Sequence, residues 1–128
     1  MPLIQPRKLN SDEQRLLVWL LSHGKPEAAA FLDQVDRLRV VGLCDCGCPT
    51  LDFALVGNTE PRRGEILDLA LFIGDSPEGV LAVVFLYSRE GELSELEGVS
   101  FSDEKKFSFP SPESLRPFGP PQDSAARP

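Results

Sequence analysis

Between Arg39 and Phe101 the chain is a series of apolar segments separated by "CGCP", "GNTEPRRG", "GDSPEG" and "SREG". Each separator is short and rich in Gly, Pro, Asp, Asn or Ser, the residues that turn a chain. A parallel pair of strands needs a crossover of about a dozen residues or more, usually a helix, and no separator here is that long. Successive strands are therefore expected to run antiparallel, as a meander. The spacing predicts five of them, at 39–45, 50–56, 66–73, 79–87 and 92–101.

The strands differ in how they alternate. In "GVLAVVFLY" both faces are apolar, Val80, Ala82, Val84 and Leu86 against Leu81, Val83, Phe85 and Tyr87, so this strand belongs at the centre of the buried structure. Leu51, Phe53 and Leu55 share one face of the second strand, and Leu67, Leu69 and Leu71 one face of the third, with Asp52 and Asp68 on the other side. In the last strand Leu93 and Leu96 fall on opposite faces under strict alternation, which calls for a bulge or an irregular edge.

Helical spacing is confined to the N-terminal third. "SDEQRLLVWLL" opens with Ser11 as N-cap and Gln14 three residues on, a capping-box pattern, and Asp12 and Glu13 suit the positive end of the helix dipole. Gly24 is expected to end this helix in the left-handed conformation, and Pro26 to begin a second, over 26–38, with Ala29, Leu32, Val35 and Leu38 on its apolar face. Residues 1–10 carry two prolines and no helical period, and read as an extended lead-in that tucks Leu3 and Ile4 against the core. Residues 11–109 then form a single α+β domain, two helices packed on one face of the sheet. The proline density of 110–128 predicts a largely disordered tail, with Phe118 as a final anchor and the last dozen residues free.

Charge narrows the partners. Acidic residues outnumber basic ones 20 to 13, a net charge of −7 that repels phosphate backbones and anionic lipid heads and attracts a basic protein. No apolar run reaches the roughly 18 residues of a membrane span and no basic-then-apolar leader opens the sequence, so neither nucleic acid nor membrane is expected as a partner. An odd cysteine count fits a reducing cytoplasm.

All three cysteines, Cys44, Cys46 and Cys48, lie in "CDCGCPT". Within a regular strand, residues two apart stand about 6.6 Å from one another. A disulfide needs Cβ atoms within about 3.5–4.5 Å, so Cys44 and Cys46 should not meet in a strand, whereas Cys46 and Cys48 flank Gly47, where the backbone can fold sharply. Zinc places neighbouring sulfurs about 3.8 Å apart, given bonds of about 2.3 Å on a tetrahedron. The three intervening residues between Cys44 and Cys48 suit that geometry, with further ligands to be sought in Cys46, Asp45, Asp52 or His23. Three readings stay open: a zinc site, a redox-sensitive thiol pair, and a strand turn whose thiols are structural.

Other chemistry is thin. His23, the single histidine, sits at the end of the first helix, where an imidazolium suits the negative dipole end and needs no catalytic role. Asp52, Asp68, Asp75, Glu95 and Glu97 could gather into an acidic patch, or simply solvate a sheet face. Phosphate-binding glycine loops, GxSxG, HExxH and dinucleotide fingerprints do not occur, which lowers the case for an enzyme.

"CDCGCPTLDF" at 44–53 together with "GVLAVVFLYSREGELSELEGVSF" at 79–101 and the following "FPSPESL" resembles a group of small uncharacterised bacterial proteins that share a CGCGCPT-like turn and an LSELE strand. Asp45 stands here where a glycine is expected. The resemblance covers 11–115 and implies a bacterial, cytoplasmic domain without assigned site residues. The function expected from size, charge and missing catalytic motifs is that of a non-catalytic protein-interaction module, of the kind by which small acidic immunity proteins neutralise a basic partner. The alternative is a zinc-binding or thiol-redox protein built on Cys44, Cys46 and Cys48.

Overall fold

The structure, a computed structural model, describes residues 3–57, 64–101 and 106–118. Among the described residues it is an α+β fold with seven antiparallel strands. These are β1 (Leu3–Lys8), β2 (Leu38–Leu43), β3 (Leu51–Leu55), β4 (Ile66–Asp75), β5 (Leu81–Arg89), β6 (Glu92–Ser100) and β7 (Arg116–Pro117). The helices are α1 (Ser11–His23) and a 3₁₀ helix, Pro26–Arg37.

The five strands read from the sequence are all present, but they are not one meander. The order across the sheet is β1-β2-β3-β6-β5-β4-β7. Strand β3 lies against β6 rather than β4, so β3 to β6 have the strand order of a Greek key, with a long β3–β4 connection. Most of that connection, 58–63, falls outside the described residues. The two additional strands are the edges, and each contains a proline, Pro6 or Pro117. Proline is tolerated there because an edge residue can do without a ladder donor, and it blunts the edge against pairing with another chain. In β1, Ile4 packs against the core as expected, but Leu3 is exposed. Of the tail, Pro112–Ser114 forms a 3₁₀ turn and β7 pairs with β4 through Phe72↔Pro117 and Ile73↔Arg116. The expectation of a free end concerns residues of which 119–128 lie outside the described part.

Bulges decide which side chains reach the core. Across β5–β6 the pairing runs Tyr87↔Glu95 and then Ser88↔Leu93, leaving Ser94 as an extra residue. Leu93 and Leu96 consequently face the same side and both are fully buried. In β4 the extra residue is Leu69, between Asp68↔Tyr87 and Ala70↔Leu86. The inner row is therefore Leu69, Ala70 and Phe72, while Leu67 is exposed at the strand's start and Leu71 turns to the other face. Unbroken alternation had placed Leu67, Leu69 and Leu71 together. Strand β5 is the centre of burial, flanked by β4 and β6 along its whole length.

The helices also depart from the simple pattern. The capping box sits one residue earlier than expected: Asn10 accepts from the Glu13 amide at 2.8 Å, and the Glu13 carboxylate accepts from the Asn10 amide at 2.9 Å. Leu16, Leu17, Leu20 and Leu21 are buried, and Trp19 packs edge-on against Phe72 with ring centroids 4.9 Å apart. In the second helix Val35 and the following Leu38 are buried as expected, but the tighter 3₁₀ winding aligns every third residue, so Ala28, Phe31 and Gln34 also turn inward and Ala29 and Leu32 are exposed. Gln34 donates to the Gly91 carbonyl at 2.8 Å and accepts from the Leu93 amide at 2.9 Å, bracing the hairpin next to the β6 bulge.

Gly24 is not left-handed; its φ is −82°. It is needed for space, since a Cβ there would lie 2.5 Å from the Leu69 carbonyl oxygen and 2.8 Å from that of Leu20. The close approach lets the Lys25 amide donate to Leu69 O at 2.9 Å and docks the interhelical corner on β4. Gly24→Ala should therefore cost about 1–3 kcal/mol, the usual penalty for overpacking, with the urea midpoint lowered and the slope of the transition unchanged. An unchanged midpoint would show that the corner yields freely.

Candidate thiol and metal site

Strand β2 ends at Leu43, one residue before the first cysteine, so the spacing rule for strands does not govern the thiols. Residues 44–50 form a loop closed by the Cys44 amide donating to Thr50 O at 3.4 Å. Gly47, at φ 102°, supplies the left-handed turn at its apex.

The loop is seated on β6. Strand β3 pairs with β6 through only Leu51↔Leu96 and Asp52↔Glu95, so beyond Leu96 the Gly98 amide has no partner from β3. It donates instead to the buried Thr50 hydroxyl at 3.2 Å. Pro49 lies over the same residue; a Cβ on Gly98 would be 2.9 Å from Pro49 Cγ and 3.1 Å from Phe109 Cε1. Cys48 completes the anchor by donating from Sγ to Thr50 Oγ1 at 3.4 Å.

With the loop held this way, the three sulfurs converge, all within 4.8 Å of one another. That is close enough to hold a metal ion. The nearest pair is Cys44 and Cys46, with Sγ atoms 2.8 Å apart, rather than the pair flanking Gly47. Cys46 also accepts from the Cys48 amide at 3.4 Å and is exposed, while Cys44 and Cys48 are half-buried. The cysteines carry no disulfide.

Among the described residues no fourth ligating side chain joins this group. Asp52 is opposite Glu95 on β3. His23 is engaged at the end of α1, its Nδ1 2.8 Å from Trp19 O and its ring stacked on Trp19 at 4.1 Å. The donor set is thus three thiols on a tripod whose anchored leg is Cys48.

Hydrogen bonding divides the acidities of the closest pair. A bond to Cys46, and secondarily to Cys48, keeps the proton on Cys44 and pushes that thiol up to about 12. The same contacts favour the thiolate of Cys46, which comes down to about 7. No cation takes part, in keeping with the absence of Lys, Arg or His next to the cysteines in sequence. Thiol chemistry near neutral pH is therefore expected at Cys46.

Cys44 and Cys48 also line a cleft of about 660 Å³ between the loop, the start of α1 and residues 107–112. Its far wall, including Phe107 and Phe109, is pinned by Glu78, which accepts from the Ser108 amide at 2.9 Å and hydroxyl at 2.8 Å. These bonds hold the Glu78 carboxyl at about 2. Arg7 meets Glu13 through both arms at 2.9 Å on the rim, and Arg15 pairs with Glu113.

Comparison with protein-family models, curated proteins and solved structures finds no match to the chain.

The acidic residues singled out in the sequence are only partly gathered. Asp52, Glu95 and Glu97 lie together on the sheet face opposite the helices, beside the stacked Phe85 and Tyr87 rings at 5.8 Å. The Glu95 carboxyl is pushed up, first by burial and then by Glu97 and Asp52. Tyr87, which donates to Glu97 at 3.0 Å, is also pushed up, chiefly by burial and by that bond. Asp68 sits across from Tyr87 but is paired with Lys25 at 2.9 Å, which lowers it, and Asp75 is at the far end of β4.

Alkylation tests the division of acidities. Iodoacetamide should modify Cys46 first, at a rate that rises with pH through about 7 and levels off above, because only the thiolate reacts. Cys44→Ala removes the donor and should move that midpoint toward the ordinary thiol value of about 8.5. Adducts mapped by mass spectrometry decide the matter; equal labelling of all three cysteines with a midpoint near 8.5 would contradict it.

Proposed function

We propose that the protein binds a single thiophilic metal ion, zinc in the first instance, through Cys44, Cys46 and Cys48. What carries this reading is the convergence of three sulfurs from one five-residue stretch within 4.8 Å. Thiolates are soft donors suited to zinc and to monovalent copper, and a tripod of three leaves one tetrahedral position open to a further ligand. Cys44 and Cys46 have to part from 2.8 Å to about 3.8 Å to share zinc. Their loop is fastened at Thr50, not at Cys46, so the motion falls on the exposed side of the turn. Metal binding requires the thiols to lose their protons and so strengthens as pH rises.

Protein purified without chelator should carry about one equivalent of zinc or take it up on titration, and replacing any one cysteine by serine should weaken binding at least tenfold. Less than about a tenth of an equivalent, with three freely titrating thiols, would refute the reading.

The expected interaction with a basic protein is a second reading, supported by Asp52, Glu95 and Glu97 standing together opposite the helices with Glu95 disfavoured as an anion there. Arg89 already lowers the Glu95 carboxyl against burial and its two neighbours, and a further cationic side chain seated beside them would act in the same direction. A lysine-rich peptide should bind at low salt, weaken severalfold by 0.15 M, and weaken likewise in the Glu95→Gln/Glu97→Gln double variant. Equal binding by wild type and double variant, measured by fluorescence anisotropy, would discard this face.

A further inference from the structure

The metal reading uses the three sulfurs alike, but the structure does not place them alike. Cys48 is tied to Thr50, which is itself held by the Gly98 amide of β6. Cys46 is exposed at the tip, and its Sγ lies 2.8 Å from that of half-buried Cys44. That separation is about 0.8 Å longer than a disulfide bond of 2.03–2.05 Å and about 1 Å shorter than the sulfur spacing in a zinc tetrahedron. The turn thus stands between two arrangements, and a small movement of Cys46 reaches either. They exclude each other, because a disulfide sulfur is no longer a thiolate donor.

The geometry points to a thiol switch in which Cys46 is the attacking sulfur and Cys44 the resolving one, so that closing the Cys44–Cys46 disulfide withdraws two of the three metal donors. Three observations assign the roles. Exposure lets an oxidant reach Cys46 before its neighbours. Proximity puts Cys44 in place to resolve. The bond to Thr50 holds Cys48 at the anchored end of the loop, farther from the exposed tip than Cys46.

With hydrogen peroxide as oxidant, the Cys46 thiolate attacks one peroxide oxygen; the O–O bond breaks, hydroxide leaves, and Cys46 becomes a sulfenic acid. The Cys44 sulfur then attacks the Cys46 sulfur. The S–S bond forms as the S–O bond breaks, and the departing hydroxide takes the Cys44 proton as water. In sum, two thiols and one peroxide give one disulfide and two waters, the thiols being oxidised by two electrons. Exchange with a small disulfide reaches the same product, with two molecules of small thiol released. Disulfide formation stands on the loop geometry alone, whereas metal release rests on the function proposed above.

The full-length protein, reduced and metal-free, is treated with one equivalent of hydrogen peroxide, and its linkages are mapped by mass spectrometry after digestion without reductant. The expected product is a Cys44–Cys46 disulfide with Cys48 free, reversed by dithiothreitol. Cys48→Ser should form the same disulfide within about twofold of the wild-type rate despite its weakened metal binding, whereas Cys44→Ser should leave Cys46 as a sulfenic acid, trapped by dimedone, that a second equivalent of peroxide carries to the sulfinic acid. In zinc-loaded protein, ion release measured with a chromogenic chelator should match disulfide formation one for one. A disulfide through Cys48, a linkage between two chains, or three thiols still reduced would overturn the switch. Clean Cys44–Cys46 closure in a protein that binds no zinc would instead uphold the switch and remove only the metal reading.

Discussion

Much of this structure follows from one extra residue in β6. Ser94 has no counterpart on β5, and its insertion turns Leu93 and Leu96 to the same side. Both are fully buried, so a regular strand would bring one of them to the wet face at a cost of about 1.5–3 kcal/mol. The bulge is braced from the helical layer by Gln34, whose side chain holds Gly91 O and the Leu93 amide. Beyond it the alternation carries Gly98 to the core side, opposite Val84. Gly98 is the seat on which the cysteine loop rests.

The site is accordingly an outgrowth of the sheet. Strand β3 stops pairing with β6 after two residues, and Thr50 takes over with its hydroxyl where a ladder bond would otherwise be. Pro49 fits over Gly98 because no Cβ is there. These two contacts fix one end of the loop, and Cys48 with it, while Cys46 is left at the exposed end beside Cys44. The two sequence stretches CDCGCPT and LSELEG touch at Pro49, Thr50 and Gly98.

Charge is arranged by layer. On the helical side the carboxylates of Glu13 and Glu113 have cationic partners in Arg7 and Arg15, and Asp68, across from Tyr87, is paired with Lys25 from the interhelical corner. On the opposite face Asp52, Glu95 and Glu97 crowd one another, and Glu95 and Tyr87 both resist ionisation. The net charge of −7 thus has a local expression that the strand register creates.

Local chemistry was enough to read the α+β class, the five inner strands, α1 and the presence of a turn at Gly47, because periodicity, capping and turn residues act over a few positions. The need for a bulge near Leu93 was legible too, as a conflict between alternation and burial. Sequence alone could not reveal that β3 neighbours β6, that Leu3–Lys8 and Arg116–Pro117 close the sheet's edges, or that the second helix winds as 3₁₀ and turns Gln34 inward. Those outcomes rest on contacts between residues far apart in the chain, where many registers satisfy the same local pattern. The cysteines show the division most plainly. Their spacing determined that three thiols share one short stretch. Only the tertiary structure, by ending β2 at Leu43 and clamping Thr50 to Gly98, decided that they converge and that Cys44 meets Cys46.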